Sequence, residues 1–179
     1  MKRMKVMKRY ISSRRAFLYS AALLTLSACG YRPVSHYAHG LLGESVYVSV
    51  HPNGKEPQNG VYLKEAIIDT VRERFSAIVT EKREDADSTI EVLRYHIGYS
   101  PLTYDKNGYV TRYRVDTTVT FRIETADGNY DKIVNVSEDV GIKAGSLTSS
   151  IARESAIRYS IRKAMDKLVA YVAQRGYLK

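Results

Sequence analysis

Val110-Thr111-Arg112-Tyr113-Arg114-Val115-Asp116-Thr117-Thr118-Val119-Thr120-Phe121-Arg122-Ile123-Glu124-Thr125 is the stretch that decides the fold. Tyr113, Val115, Thr117, Val119, Phe121 and Ile123 share one parity. Arg112, Arg114, Asp116, Thr118, Thr120, Arg122 and Glu124 share the other. Side chains in a strand alternate between faces, so this is a long strand with one buried face and one polar face.

Turn signals bracket it. On its N-terminal side Asn107-Gly108 is a hairpin signal. It closes a link over residues 100–108 that holds Pro101, and a strand over 89–99 precedes the link. In that strand the apolar residues change phase, from Ile90 and Val92 to Leu93, Tyr95, Ile97 and Tyr99. The change predicts a bulge, or burial of both faces, at the strand's start. On the C-terminal side Asp127-Gly128 turns the chain into a strand over 130–138.

Further out the period changes. Val46, Val48 and Val50 alternate as a strand over 46–50. Leu63, Ile67, Val71, Phe75 and Ile78 recur at helical spacing from residue 61, with Asn59 as the candidate N-cap. Residues 81–87 read as a charged loop and 141–146 as another. A last helix over 148–174 carries the stripe Ile151, Ile157, Ile161, Ala164, Met165, Leu168 and Val172, with Gly176 as its stop. The expected fold is α+β, a two-layer sandwich in the order β-α-β-β-β-α. Two helices cover one face of a four-stranded, mainly antiparallel or mixed sheet.

The chain has 179 residues, 44% hydrophobic and 26% charged, which excludes a disordered or collagen-like chain. Its net charge of +9 suggests nucleic acid until it is mapped. Seven of the 28 Lys/Arg residues lie in residues 1–28, which hold no acid, and the remainder carries 21 basic against 19 acidic residues. A nucleic-acid partner is therefore not expected.

Residues 1–28 read as a signal peptide. A basic leader precedes the apolar run 16–26, too short for a bilayer span of roughly 20 residues. Leu26-Ser27-Ala28-Cys29 resembles a bacterial lipobox. That resemblance implies that Cys29 is the lipidated (palmitate-bearing) first residue of the mature chain, anchored in the membrane. Gly30 after it favours the outer membrane. Ser13-Arg14-Arg15-Ala16-Phe17-Leu18 also looks like a twin-arginine signal, and either export route delivers the same product. Cys29 is the sole cysteine, so no intrachain disulfide and no cysteine metal site is expected. Residues 29–45, with four Gly or Pro and no sustained period, read as a lipidated tether, and 46–179 as a single domain.

No catalytic, cofactor or metal constellation is expected. His36 and His39 share a Gly-rich stretch without a third ligand, and no nucleophile elbow, phosphate loop or dinucleotide fingerprint is present. Serines 146, 149, 150, 155 and 160 read as caps or surface of the last helix. Tyr99, Tyr104, Tyr109 and Tyr113 cluster around Asn107-Gly108. Ordinary strand enrichment and a contact tip are both consistent with that cluster.

Several of these features together resemble LptE, the lipoprotein family of the outer-membrane lipopolysaccharide (LPS) translocon. They are Cys29-Gly30-Tyr31-Arg32-Pro33, Ala86-Asp87 leading into a strand, the Asn107-Gly108 turn, Tyr113-Arg114-Val115 opening a long strand, and the element order. The resemblance implies a non-enzymatic lipoprotein at the periplasmic side of the outer membrane. It would plug an LptD-like β-barrel and assist its assembly and LPS insertion. It also implies LPS or barrel contact at the hairpin tip (Tyr104, Lys106, Asn107, Gly108, Tyr109) and at Lys143. Solvated turn lysines are the competing reading. The alternative function is an auxiliary lipoprotein of another envelope lipid-transport or cell-wall complex.

Overall fold

The structure is a computed structural model that describes residues 33–141 and 149–178. Every element below belongs to one unit, Val34–Lys179. In chain order these are α1 (Val34–Leu42), β1 (Ser45–Val50), α2 (Pro57–Glu73), β2 (Ile78–Thr80), a 3₁₀ turn (Arg83–Asp85), β3 (Ser88–Tyr104), β4 (Val110–Thr125), β5 (Gly128–Gly141) and α3 (Ser149–Tyr177). The fold is α+β as expected, with five strands rather than four and three helices rather than two.

The sheet order is β2-β1-β3-β4-β5. The first three strands run parallel and the last three form an antiparallel meander. β4 follows its sequence pattern: Val115, Thr117, Val119, Phe121 and Ile123 are buried, and Arg112, Arg114, Asp116 and Thr118 are exposed. The phase change in β3 is a bulge. Val92 pairs with Phe121 and Arg94 with Thr120, so Leu93 is the extra residue.

α2 starts earlier than its period suggests, because Pro57 sits at the first turn. There its missing N–H is no loss and its fixed φ suits a helix. Asn59 is not the cap. It lies buried inside the helix, and its Nδ2 donates to Glu56 Oε2 at 2.8 Å. The helix also ends earlier, at Glu73. Ser76 takes a left-handed φ of 56°, and the Ala77 N–H donates to Val71 O at 3.1 Å, closing the C-terminus. Phe75 is still core, but Ile78 opens β2 and is exposed.

Residues 29–45 are not wholly a tether, since 34–42 form α1. Ala38, Leu41 and Leu42 are buried against the core. Gly176 is correspondingly not a helix stop. It lies inside α3, and a Cβ there would stand 1.9 Å from Tyr37 O. Glycine thus lets the α1 backbone approach α3. Ile157, Ile161, Ala164, Met165, Leu168 and Val172 form the buried stripe of α3, whereas Ile151 is exposed. Ser160, expected at the surface, is fully buried, and its Oγ shares a 2.8 Å hydrogen bond with Thr117 Oγ1 on β4. That bond satisfies the hydroxyl that the apolar face of β4 carries inward.

Asp87 buckles the start of β1 to the start of β3. Its Oδ2 accepts from Glu44 N, Ser45 N and Ser45 Oγ, each at 2.9 Å. Gly43, at φ 77°, is pressed so close that a Cβ would stand 2.6 Å from Asp87 Cβ. The Ser45 hydroxyl, then the two backbone amides, hold the Asp87 carboxyl below its ordinary pKa.

Candidate functional site

Among the described residues the β3–β4 hairpin outruns the rest of the sheet. Arg112, opposite Gly141, is the last β4 residue paired to β5. Alongside β5 Pro101 pairs with Tyr113 and Thr103 with Arg112, and past it Tyr104 pairs with Val110. The expected link over 100–108 is therefore mostly strand. Pro101 ends the visible alternation, but the ribbon absorbs it at an irregularity, with Leu102 unpaired in the register. Thr103 Oγ1 and Thr111 Oγ1, 2.8 Å apart, tie the two strands together there.

The tip is built by Asp105. Its N–H donates to Tyr109 O at 2.8 Å, and its O accepts from Gly108 N at 3.0 Å. Its Oδ1 accepts from Asn107 N at 2.8 Å and Tyr109 N at 2.9 Å. Lys106 and Asn107 thus form the centre of the turn, and Gly108, at φ 84°, supplies the left-handed residue after it. This is a three-residue hairpin loop with a bulge, not a two-residue Asn-Gly turn. The Asp105 carboxylate is aimed at backbone amides, while the Lys106 side chain is exposed beside it.

The four tyrosines divide into two pairs. Tyr99 and Tyr113 sit at the ribbon's root, rings edge-on at 6.3 Å. Arg153 of α3 lies 4.6 Å over the Tyr99 ring and donates to its hydroxyl at 2.9 Å. Tyr104 and Tyr109 at the tip are 60% and 71% exposed. Leu102 joins them as an exposed apolar residue. Sequence reasoning missed it because Pro101 hid the strand it belongs to. Lys143 and Cys29 lie outside the described residues.

The outer sheet face is mostly polar, as β4 predicts, and two of its arginines are matched to acids across the register. Arg114 opposes Asp139, with Nε and Nη2 at 2.9 and 3.2 Å from its carboxylate oxygens. Arg122 opposes Asp131 in the same way, at 2.9 and 3.0 Å. Each pair is a bidentate fork. Hydrogen bonding from the guanidinium lowers each Asp pKa, and the carboxylate raises each Arg in return. Between these forks the same parity carries mainly polar residues, among them His96, Asp116, Thr118, Asn135 and Ser137, together with the exposed Ile133.

The histidines do not converge. His36 and His39 lie on α1, and His36 meets the Tyr37 ring edge-on at 5.4 Å. His51 Nδ1 lies 3.2 Å from Val92 O. Among the described residues no group of three or more His, Cys, Asp or Glu could hold a metal ion, and no helix is long and apolar enough to cross a membrane.

Two solved structures are similar in fold. Rare lipoprotein B from Shewanella oneidensis is 14% identical, with 73% of this chain and 95% of that one covered at a TM-score of 0.51. A chain described as a lipoprotein, from Caulobacter crescentus CB15, is 13% identical, with 79% and 93% covered at a TM-score of 0.50. At these identities the likeness concerns fold alone. No curated protein matches the sequence. The pattern of the family described as LptE, lipopolysaccharide-assembly, matches residues 43–172, from Gly43 beside the Asp87 buckle to Val172 near the end of the α3 stripe. With well over half of its length matched, the chain belongs to the LptE lipopolysaccharide-assembly family.

Proposed function

We propose that this chain is an outer-membrane lipoprotein, anchored through lipid on Cys29, that plugs an LptD-like β-barrel from the periplasmic side. It helps the barrel assemble and assists LPS insertion into the outer leaflet. Family membership supplies the process. The observation that carries the plug reading is the outer sheet face, where two Arg–Asp forks and neighbouring polar residues leave a mostly polar surface. The lumen of a large outer-membrane barrel is polar and wet, and such a face can stand in it without losing hydration.

The hairpin tip supplies the contact to LPS or the barrel wall. Lys106 offers a point charge to a lipid A phosphate, and Tyr104 and Tyr109 offer rings that are apolar with a polar end. Lys143, ahead of α3 in sequence, adds a second cation.

A mild-detergent pull-down of the lipidated chain from its native membrane tests the partner. Recovery of an outer-membrane barrel is the expected result. Recovery of a peptidoglycan synthase or an inner-membrane transporter instead would assign the chain to another envelope complex. Intact-mass measurement of the purified chain tests the anchor. A mature product starting at Cys29 with acyl chains is expected, and an unlipidated product starting elsewhere contradicts it.

A further inference from the structure

We propose that the outer edge of β5, which pairs with no strand among the described residues, takes an extended, carboxylate-bearing segment of the protein partner as a sixth strand. β5 ends the sheet and runs from Gly128 to Gly141 in unbroken register with β4. Thr125 and Gly128 close a two-residue turn, so their pair exchanges hydrogen bonds and the even-numbered residues of β5 face β4. The odd-numbered residues aim their N–H and C=O groups outward. The one outward group with a recorded partner confirms this parity: Lys167 Nζ donates to Asn135 O at 2.5 Å.

An edge this long and regular is a template for strand pairing. Proteins blunt such edges with proline, bulges, charged side chains or a covering element, and β5 carries charge at Asp131, Lys132, Glu138 and Asp139. β5 has no proline and no register shift. Ile133 on this edge strand is 59% exposed.

A groove of about 480 Å³ runs beside the edge, between β5 and α3, lined by Lys132, Asn135, Lys167, Ala170, Tyr171 and Gln174. A helix beside a bare strand is the geometry of peptide recognition by strand addition. Backbone hydrogen bonds give the affinity, and the groove reads alternate side chains.

Charge selects the occupant. Lys132 lies 5.1 Å over the Tyr171 ring, and Arg175 lies 5.0 Å over Tyr130 and 5.7 Å over Tyr171. Lys132 and Lys167 line the groove, with Arg175 beside its Tyr171 wall, and no acid lines it. On β5, Asp131 and Asp139 are held by Arg122 and Arg114 on the opposite face, and Glu138, on the α3 parity, lies outside the groove lining. A second copy of this chain, added edge to edge, would bring both sets of cations to one seam. An acidic strand neutralises them. The partner's identity rests on the barrel reading, whereas the chemistry of the groove does not.

The test is hydrogen exchange on the full-length chain in mild detergent. It is read alone, with a peptide of alternating threonine and glutamate, and with the matching threonine–lysine peptide. The glutamate peptide should slow exchange at the Ile133, Asn135 and Ser137 amides by about tenfold or more, and the lysine peptide should not. Ser137→Pro removes an outward N–H without touching the β4 ladder, so it should weaken peptide binding by about tenfold while the chain still folds. Lys132→Glu with Lys167→Glu leaves the backbone edge intact and should reverse the peptide preference. Unprotected edge amides, or equal protection by both peptides, would overturn the proposal. Protection that rises with protein concentration alone would overturn it in favour of a second copy. If a barrel co-purifies and the edge amides exchange in that complex as in the free chain, the barrel reading stands and strand addition fails. If no barrel co-purifies but the glutamate peptide protects the edge, strand addition stands and the barrel reading fails.

Discussion

The two ends of the β3–β4 hairpin use the same backbone for different ends. At the base, from Ile90 to Ile97 and from Val115 to Ile123, the inward residues are buried, and α3 packs on β4 and β5. At the far end, from Pro101 to Tyr109, nearly every residue is exposed, and among the described residues β5 pairs no further than Arg112, so two strands carry the tip beyond it. A bare two-stranded ribbon is marginal alone. It survives here because its root is pinned by Tyr99, Tyr113 and Arg153 and its tip is cross-linked by Asp105. The base provides folding energy that the tip does not need to supply, so the tip's residues are free to be chosen for contact.

The sharpest way to break this comparison is to truncate a side chain at each end. Phe121→Ala, in the fully buried base, should lower stability by about 3–5 kcal/mol in denaturant titration. An unchanged midpoint would mean that the base is not the core. Gly176→Ala probes the same region through α1. Its Cβ would meet Tyr37 O, so α1 must shift from α3, and a loss of about 1–3 kcal/mol is expected. Ser76→Gly should act in the opposite direction. It relieves the left-handed φ of a non-glycine residue after α2 and should raise stability by about 1 kcal/mol. Tyr104→Ala and Tyr109→Ala at the tip should stay within about 0.5 kcal/mol of wild type. A large loss from either would show that the ribbon is part of the folding unit after all.

Acid sharpens the comparison from another side. The Asp87 carboxyl titrates lower in the folded chain than in the unfolded one. Its contribution is therefore fully present above the ordinary carboxylate range and is lost as pH falls through the depressed value. The Arg114–Asp139 and Arg122–Asp131 forks, both solvent-exposed, follow the same sign. Asp87→Asn should flatten the acid limb of a stability-against-pH curve measured by thermal melts. An identical limb would remove the buckle from the account.

Strict period-two stretches were legible in the sequence because burial of one face imposes that period. β4 is the clearest, and the phase change at Leu93 correctly marked a bulge. What local pattern hid was set by tertiary contact. Val34, Ala38, Leu41 and Leu42 have helical spacing, but Gly40 and Gly43 masked it, and the close approach of α1 to α3 at Gly176 is a tertiary contact. β2 is three residues long, and Ile78 happens to continue the helical spacing of α2. Pro101 looked like the end of a strand, and no local signal says that a bulge will absorb it. For the site, Asn107-Gly108 located the tip, and Tyr104, Lys106 and Tyr109 are indeed exposed there. The role of Asp105 was not legible, since its two amide partners exist only once the turn has closed.

LPS binding by the purified chain at two salt concentrations, with melting temperature followed in parallel, tests the claim that the base folds and the tip binds. Lys106→Asp should leave the melt unchanged and weaken binding, more strongly at low salt where the reversed charge is least screened. Lys143→Asp should act in the same direction, and the double variant should lose more than either single one. Equal LPS affinity for wild type and double variant, both folded, would contradict the account and take the lysines out of the site.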